Sequence, residues 1–209
     1  MDFSEFQSKI NHYKTTQLGG MEAQFKLVPK LRLQYSEEKI KNSNPKKAAV
    51  LALFYPNENG KACFLLTERA SYNGTHSGQI SFPGGKIEKN DVNLQETALR
   101  ETHEEVGVLP SSVVIIREIT DVYIPPSNFS ATPFMGFTKK EPTFIKNNEV
   151  ANSITVLVSD LLNNDNITSK IMSTSYMKEI SVPCFKLNNY IVWGATAMIL
   201  SEIKELLNS

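Results

Sequence analysis

The chain lacks net charge: 22 Lys and Arg residues balance 22 Asp and Glu residues over 209 positions. That balance excludes the basic footprint of a nucleic-acid binder and a polybasic membrane anchor. Short clusters such as Lys39-Ile40-Lys41 and Lys46-Lys47 read as exposed loop. No uninterrupted apolar run approaches the roughly 20 residues needed to span a bilayer. The start, Met1-Asp2-Phe3-Ser4-Glu5-Phe6, is acidic and has no apolar core, so it does not read as a secretory signal. Cysteine is scarce. Cys63 and Cys184 each sit in apolar, strand-like surroundings outside any metal-ligand or redox spacing, and they read as buried free thiols. Buried thiols fit a reducing compartment. Internal repeats and low-complexity tracts are absent. Together these features predict a soluble, cytoplasmic protein.

With 41% hydrophobic residues the chain can build one well-packed domain. Phe3, Phe6, Ile10 and Tyr13 recur at helical spacing and predict an amphipathic helix from about Ser4 to Lys14, ending before Gly19-Gly20. This helix and an irregular lead-in occupy residues 1–45, packing on a main domain of residues 46–209. The helix also permits a homodimer without requiring one. Ala48–Tyr55 is a continuous apolar run of strand length, and Pro56-Asn57-Glu58-Asn59-Gly60 turns it into a return strand, Lys61–Arg69. Short strands are predicted at 79–82, 113–119, 121–124, 131–138, 154–158, 167–172, 180–187 and 190–193, with a helical turn at 159–162. A closing helix runs over Ala195–Leu207. Many short strands around two helices predict an α/β/α sandwich with a mixed sheet between helices.

The stretch that calls for chemistry runs from Phe82-Pro83-Gly84-Gly85 through Asp91 to Arg100-Glu101-Thr102-His103-Glu104-Glu105-Val106-Gly107-Val108. It reads as a short strand, a Pro-Gly-Gly turn, a loop, and a helix from about Val92 to Val106 stopped by Gly107. Glu101, Glu104 and Glu105 share one helical face at i, i+3 and i, i+4 spacing, where like charges repel. A solvated acidic face is the plainer reading. The other is a hard divalent cation, Mg²⁺ or Mn²⁺, which inverts the local sign and lets carboxylates face a polyphosphate. Glycines beside such a site let backbone approach a ligand closely. Arg100, at i, i+4 from Glu104, can hold that carboxylate in place or form an ordinary surface pair. His103, between the acids, reads as structural.

The stretch resembles the Nudix box, G-x5-E-x7-R-E-U-x-E-E-x-G-U, with U aliphatic. Gly85, Arg100, Glu101, Glu104, Glu105, Gly107 and Val108 match it. The spacer from Gly85 to Arg100 is one residue longer, Asp91 stands for the first Glu, and Thr102 occupies an aliphatic position. The longer spacer is itself typical of the coenzyme A pyrophosphatase branch. That branch carries L-L-T-x-R-[SA]-x3-R-x3-G-x3-F-P-G-G upstream, matched by Leu65, Leu66, Thr67, Arg69, Ala70, Gly78, Phe82, Pro83, Gly84 and Gly85. Gly74 replaces the second Arg. Gln24 with Pro29 and Arg32, Thr132-Pro133, Glu149-Val150 and Trp193-Gly194-Ala195-Thr196-Ala197 resemble accessory stretches of the same branch.

The resemblance implies a Nudix-like fold and a Mg²⁺- or Mn²⁺-dependent hydrolase of coenzyme A or acyl-coenzyme A. Its products would be 4′-phosphopantetheine and adenosine 3′,5′-bisphosphate. It implies Glu101, Glu105 and Glu104 as metal ligands, with Arg100 among the catalytic residues. Arg69, Gly78, Gly84 and Gly85 would contact substrate. Glu104 and Glu149 are the two general-base candidates. A guanidinium pairs bidentately with phosphate and glycine cannot, so Gly74 leaves open another nucleoside diphosphate derivative, such as an ADP-sugar or a dinucleotide. A non-catalytic binding module on the same fold is the remaining alternative.

Overall fold

Strand β1 (Lys46–Pro56) is apolar without alternation because both of its faces are covered. Ala49, Leu51, Leu53 and Tyr55 point into one buried cluster and Ala52 and Phe54 into another. The first cluster is roofed by helix α4 (Leu94–Val106) through Ala98 and Val106. The second is covered by the short helix α5 (Val158–Leu162), through Val158 and Leu161, and by the closing helix α6 (Gly194–Asn208), whose apolar stripe includes Met198, Ile199, Ile203, Leu206 and Leu207. This is the expected α/β/α layering. The computed structural model describes residues 1–28, 42–70, 79–174 and 177–209. The lead-in residues Pro29, Leu31, Arg32, Leu33 and Tyr35 and the cluster Lys39-Ile40-Lys41 lie outside them.

Among the described residues, the main sheet contains β2 (Ala62–Arg69), β3 (Ile80–Ser81), β4 (Gly84–Lys86), β5 (Val114–Glu118), β6 (Val122–Ile124), β7 (Phe129–Phe137) and β8 (Val150–Leu157) besides β1. The path β3-β2-β1-β7-β5 is extended by β4 on β1, β6 on β7 and β8 on β2. Only β1 and β7 run parallel, from Lys46 opposite Phe129 to Phe54 opposite Phe137, so the sheet is mixed. The β1–β2 hairpin is paired only near its turn, from Phe54 opposite Phe64 to Pro56 opposite Ala62. Beyond that the strands part. β4 then adds to β1 and β3 to β2, which lays the glycine segment into the sheet.

Strand pattern alone assigns β9 (Ile167–Thr174), β10 (Met177–Leu187) and β11 (Tyr190–Val192) to the one sheet, but they form a separate antiparallel sheet. The Pro-Gly-Gly turn is also different. Gly84 and Gly85 are strand residues opposite Val50 and Ala49. Gly84, at φ +153°, sits so close to β1 that a Cβ would fall 2.3 Å from the Ala49 carbonyl oxygen. Only glycine permits that approach.

The expected N-terminal helix is broken at Lys9 into α1 (Phe3–Ser8) and α2 (Ile10–Thr15), followed by an additional α3 (Gly20–Phe25). The aromatic spacing does locate the buried face. The Phe6 ring stacks on Phe54 at 4.9 Å and meets Tyr13 at 5.6 Å. Arg117 donates to the carbonyls of Tyr13 and Thr16, both at 2.7 Å, closing the C-terminal end of α2. The fully buried Glu202 of α6 accepts hydrogen bonds from Gly20 N–H, Gln24 Nε2 and Thr120 Oγ1, which ties α3 to the closing helix. Both cysteines are free and buried. No helix among the described residues is long and apolar enough to cross a membrane.

Candidate active site

Helix α4 starts later than its apolar pattern suggests, because Asn93 caps it. The Asn93 side chain accepts from Glu96 N–H at 2.9 Å, while the Glu96 carboxylate accepts from Val92 N–H at 2.9 Å. This is a variant of the capping box, in which Glu96 reaches back to the residue before the cap, and it is legible as Asn93-x-x-Glu96. At the other end Gly107 adopts φ +77° and returns its N–H to the His103 carbonyl. A left-handed residue is what ends such a helix.

The loop before the helix is organised by Asp91. Its carboxylate accepts Nε and Nη2 of Arg100, each at 2.9 Å, as well as Glu88 N–H at 2.8 Å and Thr97 Oγ1 at 2.9 Å. The Asp91 side chain is only 5% exposed, and the guanidinium holds its carboxyl well below the usual carboxylate range. Arg100 Nη1 also reaches Glu101 at 2.9 Å and Glu104 at 3.2 Å, and Nη2 reaches the Lys86 carbonyl at 3.2 Å. Arg100 therefore does more than pair with Glu104. It joins the loop, the end of β4 and two of the acidic residues. The bidentate partner, Asp91, is visible in the sequence only as a substitution.

Glu105 lies one turn on from Glu101 and accepts Gly84 N–H at 3.2 Å. Burial pushes its carboxyl up to about 7, with Glu101 and Glu149 adding to the rise and Arg69 opposing it. Glu101 is raised too, again chiefly by burial, against the pull of Arg100. Gly85 lies directly against Glu101: a Cβ there would fall 2.4 Å from the carboxyl carbon. Gly85→Ala should thus displace a carboxylate that Arg100 holds in place. We expect Mn²⁺ affinity to drop about 10- to 100-fold with little change in melting temperature, read by calorimetric titration.

The loop from Thr138 to Glu149 wraps the C-terminal end of α4. Ile145 N–H donates to the Val106 carbonyl at 2.9 Å and Asn147 N–H to the Glu105 carbonyl at 3.0 Å. Asn147 Oδ1 accepts Glu149 N–H at 2.9 Å, and the Glu149 carbonyl accepts Ala70 N–H at 2.8 Å. These bonds set Glu149 beside Arg69 at the end of β2, with Glu149 Oε2 3.7 Å from Arg69 Nη2. Asn147 carries no signal in the sequence. Its contribution is a loop bond that depends on the helix end being there.

Arg69, Gly84, Gly85, Arg100, Glu101, Glu104, Glu105 and Glu149 thus gather around the sheet end of α4. Gly78 and Gly74 lie outside the described residues. His103 is exposed on the outer face of α4. The accessory residues hold the scaffold together: Gln24 binds Glu202, Thr132 Oγ1 donates to Asp121 at 2.6 Å, and Thr196 Oγ1 donates to the Ile80 carbonyl at 2.9 Å.

Among the described residues no three His, Cys, Asp or Glu side chains converge into a ready-made metal cage. Arg100 occupies one oxygen each of Glu101 and Glu104. The donor set still suits a hard divalent ion that retains waters and needs one or two carboxylates. Glu101 and Glu105 are oxygen donors a turn apart, both pushed up by burial, beside the half-buried Gly84 and Gly85.

A family model described as the NUDIX domain matches residues 45–166, more than half of the chain. An uncharacterized Nudix hydrolase NudL from Enterobacter sp. (strain 638) is 32% identical over 162 residues, covering 77% of this chain and 82% of that protein. Nudix hydrolase 3 of Caenorhabditis elegans is 28% identical over 189 residues, covering 81% and 77%. Nudix hydrolase 15, mitochondrial, of Arabidopsis thaliana is 32% identical over 162 residues. The match takes in 75% of this chain but 56% of that plant protein, so the chain spans little more than half of its length. Among solved structures, a Nudix hydrolase from M. smegmatis, RenU, shares the fold with a TM-score of 0.55 at 18% identity, covering 78% of this chain and 86% of that one. With a capped acidic helix pinned to a glycine strand on a mixed sheet between helical layers, the family-model match and the 32% identical relative place this chain in the Nudix hydrolase family.

Proposed function

We propose that the protein hydrolyses the pyrophosphate bond of coenzyme A or its thioesters, releasing 4′-phosphopantetheine and adenosine 3′,5′-bisphosphate. The observation that carries this reading is the position of Arg69. The arginine of the Leu65-Leu66-Thr67-x-Arg69 stretch stands next to Glu149 and within electrostatic reach of Glu105. That proximity supports reading the upstream stretch and the acidic helix, separate in sequence, as parts of one site.

Glu101 and Glu105 would hold Mg²⁺ or Mn²⁺, with Glu104 as a further ligand. When bound, such an ion offsets phosphate charge and lowers the pKa of a coordinated water. The remaining work falls to the chain. Arg100 fixes the direction of Glu101 and Glu104 through its own anchorage on Asp91. Gly84 and Gly85 let their strand lie close against β1 and the Glu101 carboxylate, and their backbone would face the pyrophosphate. Arg69 takes phosphate oxygens in the paired geometry a guanidinium offers. Water attacks one phosphorus, the anhydride oxygen leaves with the other phosphoryl group, and Glu149 or Glu104 accepts the proton of the attacking water. Both candidates face an arginine, Glu104 accepting from Arg100 and Glu149 standing 3.7 Å from Arg69.

The substrate is tested by incubating the protein with coenzyme A, ADP-ribose and NADH in Mg²⁺ or Mn²⁺ and identifying products by mass spectrometry. Adenosine 3′,5′-bisphosphate is expected from coenzyme A. Rapid cleavage of another compound with coenzyme A untouched would sink the substrate assignment. Gly74, in place of an arginine, favours that second reading, a different nucleoside diphosphate derivative.

A further inference from the structure

The Arg69–Glu149 pair is an unusual feature for a site that must accept phosphate, because it joins the cation that would bind substrate to a carboxylate of the chain itself. Its geometry is loose. The closest approach is 3.7 Å, longer than a hydrogen bond, and the two side chains are 41% and 63% exposed. Exposed pairs of this kind are weak. The backbones beneath are firmly held. Arg69 N–H donates to the Gln79 carbonyl at 3.0 Å, Arg69 is paired with Val150, and Glu149 is bonded through both its N–H and its carbonyl. Side-chain rotation can therefore break the Arg69–Glu149 contact while both backbones stay in place.

Resting on the reading of this site as one that processes a pyrophosphate, we propose that Arg69 and Glu149 form an exchangeable pair. In the free protein Glu149 is a counter-ion for Arg69. An arriving phosphate group takes the guanidinium, and the Glu149 carboxylate is released toward the water side of the acidic cluster. Phosphate wins the exchange because it offers a guanidinium two short charge-assisted bonds, where the approach of Glu149 is longer than a hydrogen bond. Glu149 thereby sets how strongly an anion must bind in order to enter, a specificity role separate from proton transfer.

The test is a double-mutant cycle on affinity, with inorganic pyrophosphate as the probe at a fixed Mg²⁺ concentration, read by calorimetric titration. Glu149→Gln should bind pyrophosphate about 3- to 5-fold more tightly than the unaltered protein. In an Arg69→Ala background the same Glu149→Gln change should give no gain. Equal or weaker binding by Glu149→Gln, no measurable binding by it, or a gain that persists without Arg69 would each overturn the proposal. The last outcome would reduce Glu149 to a general repulsive charge. Because pyrophosphate is the probe, the result is independent of whether coenzyme A proves to be the substrate, which the product assay decides.

Discussion

Glu105→Gln should abolish hydrolysis while making the cation-free protein more stable at pH 8. The loss of activity should exceed about 100-fold, because even partners outside the ligand shell commonly cost 10- to 100-fold when removed. The gain in stability follows from the buried carboxyl. Its pKa rises from 4.5 to about 7 on folding, chiefly through burial. Between those values the folded state binds more protons than the unfolded chain, so stability falls as pH rises through the window. A rise of that size corresponds to roughly 3 kcal/mol, discounted to about 2 kcal/mol for residual contact with solvent. Glutamine keeps an acceptor for Gly84 N–H and carries no charge. The variant should therefore melt about 4–8 °C higher at pH 8 in chelator, with the difference narrowing toward pH 5. Added Mg²⁺ should stabilise the unaltered protein and leave the variant unmoved. Equal melting points in chelator at both pH values would show that Glu105 carries no such strain.

Arg100→Ala should have the opposite effect on the fold. It leaves the nearly buried Asp91 without its bidentate partner and frees Glu101 and Glu104. Uncompensated buried charge costs about 3–5 kcal/mol, and the lower end applies here because Asp91 keeps bonds from Glu88 and Thr97. At this chain length a loss of about 3 kcal/mol lowers the melting temperature by about 6–12 °C. The pH dependence is reversed from that of Glu105. Asp91 titrates below its ordinary 3.8 in the folded state. Its contribution is therefore present above that value and lost as pH falls through the lowered folded pKa. The deficit of Arg100→Ala should accordingly be full at pH 7 and shrink below pH 4. Arg100→Lys should recover little, since an ammonium cannot span both Asp91 oxygens. Differential scanning fluorimetry across pH measures all of this, and a pH-independent deficit would count against the Asp91 account.

Patterns that act over a few residues are legible in the sequence alone. The spacing of Glu101, Glu104 and Glu105, the stop at Gly107, the hairpin turn at 56–60 and the stripe of α6 are local matters of periodicity and backbone permission. Apolar pattern places the start of α4 at Val92, two residues early, because it takes no account of the Asn93–Glu96 cap; Val92 itself is 82% exposed. The split of the N-terminal helix at Lys9 and the presence of α3 are illegible for a different reason. Short helices of six residues are held by packing rather than by propensity.

By itself the sequence determined the family, the acidic face of α4 and which residues carry charge, because residue type and spacing decide those directly. Only the tertiary structure decided that Gly84 and Gly85 form a strand rather than a turn, that Asp91 is the bidentate partner of Arg100, and that Glu149 stands against Arg69. Each of those depends on segments far apart in the chain meeting at one point: β4 on β1, the spacer on α4, and the Thr138–Glu149 loop on the end of the helix. A partner set by long-range packing leaves no periodic trace, since the residues that meet share no spacing.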